Sequence, residues 1–418
     1  MKFSEADRTN GQPQSQKSVY SLVSSQLLSP PPPNKMQLPT LLLLLGLHGG
    51  RAKQFTVSNV APRLDAATGK ILELGDGSIA KFGDTFYLYG VQYVCTPSPR
   101  TTPAGLPSCP VKDRRIWANM SLGVASSSDM VNWQLESYDI VPEMHDADTR
   151  WPATKYAWFM PTITRNATHY ALWYYIDMYA RGVAVSESPT GPFKIVHDSV
   201  PNLQLGSDFF FWTGSDGRTY MKHNGGCGQG IKPPHKGSGV CVARLAPNMT
   251  DIDATSPLLD APGEGGGIFE RDGRWYIMQG HGCCFCWAGD DAQLWESTNG
   301  PFGPYTTQND IIHCNSTNHY AANLTCGGPG PGGPCYSAAG SQCVPGARQR
   351  GPGAQQFGVF PIPEAGNKTA FLFVGIRYGS APDGNKCHEF QYWDTLKFDG
   401  EGHVLPMTFQ DTVKLDLA

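Results

Sequence analysis

Residues 263–276 read G-E-G-G-G-I-F-E-R-D-G-R-W-Y, and this pattern predicts a β-hairpin that carries a carboxylate at its start. A short apolar strand begins at Ile268, a turn follows at Asp272-Gly273, and an aromatic strand completes the pair. Asp-Gly between two alternating apolar runs is a strong hairpin signal. The glycines after Glu264 keep side chains away from its carboxyl group, so another molecule can approach it closely. For a motif that occurs once, a flexible loop with a solvated glutamate is the alternative.

The hairpin pattern recurs along the chain, and the recurrence predicts the fold. From about residue 72 onward the chain repeats a short apolar strand, a turn of Gly, Asp or Asn, and an aromatic-rich strand. Each hairpin is followed by a second strand signature, such as those that begin at Gly123 and Gly182. Two hairpins make a four-stranded blade, and five such units make a five-bladed β-propeller, an all-β fold. A chance series of generic hairpins is the alternative. The inner hairpins begin at Asp76, Pro161, Asp208, Glu264 and Gln355.

The composition agrees with an all-β protein and excludes two classes of partner. The 418 residues include 48 Gly and 34 Pro, and 11% are aromatic but only 16% charged, which is typical of short strands joined by turns. The formal net charge of −4 gives no basic surface for nucleic acid and no polybasic patch for a membrane. We expect residues 53–418 to form a single catalytic domain that is a monomer.

The cysteines and glycosylation sequons indicate an oxidising, secretory compartment. The chain has twelve cysteines and six N-x-Ser/Thr sequons, a combination typical of secreted proteins. Zinc is the alternative for Cys283-Cys284-x-Cys286, but no second C-x-x-C or H-x-x-x-H pair completes a ligand set. We therefore favour disulfides over zinc, with a pairing that the sequence leaves open. The sequons lie at Asn119, Asn166, Asn248, Asn315, Asn323 and Asn367.

The N-terminal region has the features of a signal peptide at residues 36–52. Met36 opens the apolar run M-Q-L-P-T-L-L-L-L-L-G-L, Lys35 precedes it, and Gly50-Arg51-Ala52 provides a small-residue cleavage site. The apolar core at residues 41–47 is too short to span a bilayer. Residues 1–35 are polar and end in four prolines; we interpret them as a disordered leader, or as a region upstream of a true start at Met36. The sequence thus predicts a secreted protein without a membrane span.

The propeller fold brings the candidate chemistry together. The first strand of each blade lines a central channel, so the residues that begin the inner strands converge there. Carboxylates around one cavity with a tryptophan rim fit glycoside hydrolysis. One carboxylic acid protonates the leaving oxygen, a second group activates water, and aromatic faces stack on sugar rings. Mutual repulsion and burial raise the pKa of such an acid, so that it keeps its proton near neutral pH. The converging residues are Asp76, residues 159–162, Asp208, Glu264 and Gln355, and the rim consists of Trp151, Trp158 and Trp287.

Motifs in three blades resemble one known family. Residues 170–177 read Y-A-L-W-Y-Y-I-D and precede G-V-A-V-S-E-S-P-T-G-P-F at residues 182–193. The Glu264 hairpin is followed by Gly282-Cys283 and Trp287, and A-Q-Q at residues 354–356 precedes V-F-P at residues 359–361. With these motifs, residues 72–417 resemble glycoside hydrolase family 43, the five-bladed propeller enzymes. The likeness is strongest to the exo-β-1,3-galactanase-like branch.

The resemblance implies roles for individual residues. Glu264 matches the general acid. Asp76 matches the aspartate that is the general base in most of the family, whereas the galactanase-like branch is thought to use a glutamine, whose counterpart is Gln355. Because a carboxylate is the better proton acceptor, we favour Asp76 as the base and assign Gln355 a contact with the sugar or the water. Asp208 matches a sugar-binding aspartate, and capping of the turn before Phe209 is an equal alternative. Asp177, Trp287 and Trp158 complete the predicted substrate-binding set.

No metal ligand is assigned from the sequence. Some members of the family hold a structural ion such as calcium in the channel, which the resemblance leaves open for this chain. His281, His319 and His388 are the histidines that would approach such an ion, although each is more typical of an ordinary polar loop.

The chain departs from the family pattern at two places. The family has an acidic residue at the entry to blade two, where residues 158–162 read W-F-M-P-T. Asp146, Asp148 and Asp177 are the candidates to replace it. The galactanase-like branch also has a glutamate after the first hairpin, where this chain reads Y-G-V at residues 89–91. Both departures leave room for a changed substrate or for reduced activity.

The sequence thus predicts a secreted glycoside hydrolase that acts by an inverting acid/base mechanism on galactan-, arabinan- or xylan-type side chains. The alternative from another class is a carbohydrate-binding propeller that has lost catalysis. A retaining transglycosylase or sucrose-type enzyme on the same fold is a third hypothesis. The distance between the two catalytic carboxyl groups distinguishes the retaining enzyme from the inverting hydrolase. Inverting enzymes hold the pair about 6.5–9.5 Å apart and retaining ones about 5–5.5 Å.

Overall fold

The structure, a computed structural model, describes residues 53–93, 119–176, 180–200, 203, 208–225, 238–262, 265–280, 292–308, 354–364, 368–376 and 386–417. Within these ranges the chain consists of strands, turns and short 3-10 segments such as Pro142–His145. None of the helical segments in the described ranges is long and apolar enough to cross a membrane.

The strands of the described ranges form five antiparallel sheets that follow one another along the chain. The first strand, β1 (Lys53–Ser58), comes before blade one in the chain but belongs to the sheet of blade five. Blade one contains β2 (Ile79–Phe82), β3 (Thr85–Gln92), β4 (Ser121–Ser127) and β5 (Gln134–Ser137), and blade two contains β6 (Trp158–Arg165), β7 (Tyr170–Ile176), β8 (Ala180–Ser186) and β9 (Lys194–His197). Blade three contains β10 (Phe209–Thr213), β11 (Thr219–Asn224), β12 (Ser238–Leu245) and β13 (Ile252–Thr255), with β14 (Leu259–Pro262) paired to β12. Blade four contains β15 (Ile268–Arg271), β16 (Arg274–Gly280), β17 (Ala292–Ser297) and β18 (Thr306–Thr307). Blade five contains β19 (Gln355–Glu364), β20 (Lys368–Ile376) and β21 (Gln391–Thr395), and β22 (Thr412–Leu417) ends the described chain.

The prediction of an all-β, five-bladed propeller is confirmed. The five predicted inner hairpins are the pairs β2–β3, β6–β7, β10–β11, β15–β16 and β19–β20. In the hairpin of blade four, Arg271 pairs with Arg274, so the loop is the two-residue Asp272-Gly273 turn. Both turn residues have positive φ, 52° and 77°, which is the geometry of a type I′ hairpin.

Aromatic rings join each blade to the next and explain the high aromatic content. Offset and edge-to-face ring pairs at these distances add to the burial of apolar area. Going around the ring, the junctions are Phe82–Tyr170 (4.9 Å), Trp173–Phe211 (5.6 Å), Tyr220–Trp275 (4.9 Å), Phe269–Phe371 (5.7 Å) and Phe86–Phe360 (6.5 Å). Because the last pair joins blade five to blade one, the five blades close into a ring.

The segment that follows β1 reinforces this closure. β1 pairs with β22 in an antiparallel ladder, and Asn59 then brackets Trp393 on β21. Its Nδ2 donates to the Trp393 carbonyl at 2.7 Å, and the Trp393 amide donates to its Oδ1 at 2.9 Å. The buried Arg63 guanidinium lies 3.5 Å from the Trp393 ring centroid. An early segment of the chain thus joins the sheet of blade five through β22.

Candidate active site

The residues that begin the inner strands, or immediately precede them, lie at one end of the ring. Every blade junction is crossed there by a hydrogen bond, and these bonds fix the spacing of the loops that surround the channel. In order they are Ser78 Oγ to Pro161 O (2.7 Å), Arg181 Nη2 to Asn224 O (2.7 Å), Gly265 N to Asp208 Oδ2 (2.6 Å), Gly266 N to Gln356 O (2.7 Å) and Gln391 Nε2 to Gly77 O (2.9 Å). Two of the predicted positions, Pro161 and Asp208, take part in these contacts. Convergence of the whole predicted set on one channel stays a prediction.

Asp76 is buried in a turn that precedes β2. Its carboxylate accepts a hydrogen bond from the Tyr93 hydroxyl at 3.3 Å, and 5% of the residue is exposed. The following residue has to be glycine, because a Cβ on Gly77 would lie 1.9 Å from the Tyr89 carbonyl oxygen. The turn is therefore pressed against β3, and Asp76 is held at the start of the inner strand.

Asp208 contacts the segment that follows Glu264 in the chain. Its Oδ2 accepts the backbone amide of Gly265 at 2.6 Å, and 9% of the residue is exposed. This amide belongs to the peptide bond between positions 264 and 265. Both sequence interpretations of Asp208, sugar contact and local turn cap, missed this bond between blades. The sugar contact stays a prediction.

Gly265 and Gly266 form a turn that a side chain would disrupt. Their φ angles are +69° and +77°, in the left-handed region. A Cβ on Gly266 would lie 1.9 Å from the Met278 carbonyl oxygen, and one on Gly265 would lie 2.5 Å from that of Gln356. The Lys222 ammonium donates to the Gly265 carbonyl oxygen. These positions thus require glycine because the backbone packs closely there. The sequence analysis gave a weaker reason, which was open access to the Glu264 carboxyl group.

Gln355 lies beside this turn. A Cβ on Gly265 would meet the Gln355 Cγ at 3.4 Å and its Nε2 at 3.5 Å, so the amide borders the backbone next to position 264. Gln355 also pairs with Ile376, which pairs with Gln391. The two glutamines therefore stand in one cross-strand row, about 10 Å apart by strand spacing. The Gln391 amide contacts Gly77, which places the Asp76 turn at the far end of this row.

Trp158 lies in the core between blades one and two. Its ring stacks on Tyr174 at 4.3 Å, its Nε1 donates to the Trp151 carbonyl at 2.9 Å, and 1% of the residue is exposed. The sugar-stacking role predicted for Trp158 would require the side chain to move. Trp151 is half-buried and packs edge-on against Tyr156 at 5.0 Å.

Several predicted residues lie outside the described ranges or away from the channel contacts. Asp146 and Asp148 are exposed on the loop before blade two. His388 is described, and its Nε2 lies 3.6 Å from Glu73 Oε1. Among the described residues no group of three His, Cys, Asp or Glu side chains could hold a metal ion, and a channel ion stays a hypothesis. Glu264, Asp177, Trp287, His281 and His319 lie outside the described residues.

Three buried bases lie around Asp208, and the sequence analysis missed them. Burial lowers the pKa of Arg181 to about 10, and Asp208 opposes this shift. Burial, followed by the charge of Arg181, lowers the pKa of His223 well below its usual value. Lys222 is fully buried and also donates to Asn224 Oδ1 at 2.7 Å. Their signal was present in the sequence as charged residues inside otherwise apolar strands, in A-R-G-V and Y-M-K-H-N.

The two described cysteines, Cys241 and Cys387, are both buried. The ten other cysteines, including Cys283, Cys284 and Cys286, lie outside the described residues. The predicted disulfide framework therefore stays a prediction.

Comparison with known proteins supports the fold. No protein-family profile matches the chain, and no curated protein matches it. Among solved structures, an exo-β-1,3-galactanase from Clostridium thermocellum is 16% identical, with a TM-score of 0.59 over 86% of this chain and 67% of that one. A GH43 β-1,3-galactosidase is 14% identical, with a TM-score of 0.58 over 87% and 64%.

A third similar structure is an exo-β-1,3-galactanase from Phanerochaete chrysosporium crystallised with β-1,3-galactotriose. It is 17% identical, with a TM-score of 0.56 over 85% of this chain and 67% of that one. The chain therefore spans about two thirds of the length of these three proteins. At such identities the likeness shows a shared fold, the five-bladed propeller that the resemblance to family 43 implied.

Proposed function

We propose that this protein is a glycoside hydrolase of the family 43 type, which cleaves O-glycosidic bonds by an inverting acid/base mechanism. The observation that carries the proposal is the hydrogen bond from Gly265 N to Asp208 Oδ2. It ties a carboxylate of blade three to the peptide unit that follows Glu264. Asp76 lies in the turn before the inner strand of blade one, and Gln355 begins the inner strand of blade five.

In the proposed mechanism Glu264 is the general acid and protonates the leaving oxygen. Asp76 is the general base and removes a proton from the attacking water, which enters from the opposite face of the sugar. Gln355 orients the water or the sugar through its amide. Asp208 holds the turn that carries the acid and contacts the sugar with its remaining oxygen. Burial suits Asp76 to this role, because few bulk waters compete with the reacting one.

The substrate we propose is a glycan side chain of the galactan, arabinan or xylan type. β-1,3-linked galactosides are the first compounds to test, because the similar structures include β-1,3-galactosidases and one with bound β-1,3-galactotriose. The two departures from the family pattern, at residues 89–91 and 158–162, favour testing arabinosides and xylosides in parallel.

Purified enzyme should be assayed on aryl β-galactosides, α-arabinosides and β-xylosides, with the Glu264→Gln variant beside it. We expect turnover on one of these series, and a loss of about 10²–10⁴-fold in the variant, the usual contribution of a general acid. NMR of the first product should show inverted anomeric configuration. Equal rates for variant and wild type would refute the assignment of Glu264, and retention would favour the transglycosylase hypothesis.

A carbohydrate-binding propeller without catalysis is the second candidate. It is favoured by the entry to blade two, where W-F-M-P-T carries no carboxylate and Trp158 is buried. Glycan-array binding by wild-type protein that turns over no substrate would support this candidate over the hydrolase.

We also propose that the protein is secreted as a disulfide-bonded glycoprotein and acts as a monomer. The signal-peptide features of residues 36–52, the twelve cysteines and the six sequons support this. Expression with residues 1–52 in a secretory host, followed by mass spectrometry of the medium, tests processing, glycans and disulfides together.

A further inference from the structure

Gln391 is a buried glutamine whose amide is engaged at both ends. It begins β21 in blade five, and 1% of the residue is exposed. Trp393 Nε1 donates to its Oε1 at 2.9 Å. Because an indole N–H only donates, this bond fixes which end of the amide is oxygen. The nitrogen is thereby aimed at blade one.

The two acceptors of the Gln391 amide flank Asp76. Nε2 donates to the Gly77 carbonyl at 2.9 Å and to the Gly75 carbonyl at 3.3 Å. The Gln391 side chain of blade five therefore binds the backbone on both sides of Asp76 in blade one. The opposite side of the turn rests on β3, where Gly75 N donates to the Val91 carbonyl at 3.2 Å.

We propose that Gln391 is a positioning residue, which holds the Asp76 carboxylate in place for its reaction with water. This inference rests on the proposed function, in which Asp76 is the general base. The Gly75 carbonyl belongs to the peptide unit between Gly75 and Asp76, and the Gly77 carbonyl belongs to the unit between Gly77 and Ser78. The two bonds therefore restrain the backbone on both sides of Asp76, and with it the direction of the carboxylate. A shift of about 1 Å in a reacting group can cost about 100-fold in rate.

Trp393, which binds the Gln391 side chain, is itself held in place by its neighbours. Trp393 packs edge-on against Trp133 at 6.1 Å and lies under the Arg63 guanidinium. The Arg63 Nη1 also donates to the Gln391 carbonyl at 3.0 Å. Trp393 and Arg63 thereby hold Gln391 from its own side of the junction.

Two substitutions separate positioning from packing. Gln391→Leu keeps the approximate volume and removes the amide. Gln391→Glu keeps an acceptor for Trp393 but places an oxygen against the two carbonyls. On the aryl glycoside that the wild type hydrolyses, we expect kcat to fall by about 10- to 100-fold in both variants, with KM changed by less than about 2-fold.

Asn59→Ala is the matched control. The described hydrogen bonds of the Asn59 side chain go to Trp393 and Gln410. The substitution therefore weakens the packing around Trp393 but leaves the Gln391 amide in place. We expect Asn59→Ala to lower the melting temperature and leave kcat within about 2-fold of the wild type. A fall in kcat in proportion to the lost stability in all three variants would overturn the proposal.

A double-mutant cycle with Asp76→Ala tests whether Gln391 acts through Asp76. If it does, Gln391→Leu costs nothing further once the carboxylate is absent, whereas independent losses multiply. Multiplying losses would overturn the positioning role while leaving the hydrolase function intact. Unchanged activity in Asp76→Ala alone would instead refute Asp76 as the base, and the positioning role would fall with it.

Hydrogen–deuterium exchange gives a readout that does not need turnover. Exchange at residues 74–80 should rise in Gln391→Leu and stay at the wild-type rate in Asn59→Ala. Unchanged exchange in Gln391→Leu overturns the inference whether or not a substrate is found. Wild-type protein that hydrolyses no glycoside refutes the proposed function, and with it the role of Gln391 in a reaction.

Discussion

The Asp208 carboxylate and the Gly265 amide form a 2.6 Å hydrogen bond across the junction of blades three and four. Lys222 donates to the carbonyl of the same glycine, so an anion and a cation from blade three hold the backbone next to Glu264. Charge-assisted bonds are about twice as strong as neutral ones. The turn that carries the proposed acid is therefore fixed by its neighbour blade rather than by its own sheet alone.

Removal of the Asp208 acceptor should misplace the proposed acid. We expect Asp208→Ala to lower kcat by about 100-fold, because a shift of about 1 Å in a catalytic group has that effect. Asp208→Asn keeps an oxygen for the Gly265 amide, so its loss should be smaller. Steady-state kinetics on an aryl glycoside measures both. If the Asn and Ala variants lose activity equally, the charge of Asp208 matters and the hydrogen bond does not.

The chain provides a matched pair of glycines to test the turn. Gly266 and Gly273 both have φ of +77°, but a Cβ on Gly266 would lie 1.9 Å from the Met278 carbonyl oxygen, and one on Gly273 meets nothing within 4 Å. Alanine at Gly273 should cost about 1–2 kcal/mol of unfolding free energy, the usual penalty of the left-handed region. Gly266→Ala should cost several kcal/mol more and abolish activity. Denaturant unfolding of both variants checks this, and equal losses would contradict the described packing.

The repeat of hairpins was predictable because it depends on local sequence. Asp272-Gly273 forms the two-residue turn that this residue pair predicts. The segments with alternating aromatic residues form strands of the inner hairpins. Contacts between blades were not predictable, because they join residues far apart in the chain. Lys222 lies within β11 and Gln391 begins β21, and the sequence alone gives no partner for either polar side chain. Trp158 was predicted to line the rim of the channel, but its ring stacks on Tyr174. The sequence alone did not reveal this contact either.

The sequons of the described residues differ in their surroundings, which predicts how glycans would be distributed. Asn119 is exposed and lies two residues before Ser121, the first residue of β4, which pairs with Gln92 at the channel end of blade one. Asn166 lies in the β6–β7 turn at the opposite end, where its Nδ2 donates to the Pro247 carbonyl at 3.2 Å. We expect high occupancy at Asn119 in a secretory host and lower occupancy at Asn166.

Glycopeptide mass spectrometry measures both occupancies, with Asn119→Gln as the control for assignment. Because the Asn119 glycan would stand near the channel entrance, its removal should speed hydrolysis of a polymer more than that of an aryl glycoside. A secreted protein without sugar at Asn119 would contradict this prediction.

His223 should make the protein less stable in mild acid. Burial lowers the pKa of His223 well below its usual value, so the folded state holds the ring neutral while the unfolded chain takes up a proton below about pH 6.5. The unfolded state then binds more protons, and the free energy of unfolding falls by up to about 1.4 kcal/mol per pH unit as the pH drops below 6.5. Above that pH the effect is absent.

The His223→Leu variant should remove this part of the pH dependence. Both ring nitrogens of His223 lack a hydrogen-bond partner among the described residues, so an apolar side chain leaves no new polar group unsatisfied and should match or raise the stability at pH 7. Met221→Leu is the control, because Met221 is a buried residue of the same strand without a titratable group. Unfolding free energies between pH 5 and 8 distinguish the variants. A wild-type slope that persists in His223→Leu would assign the acid sensitivity to other groups.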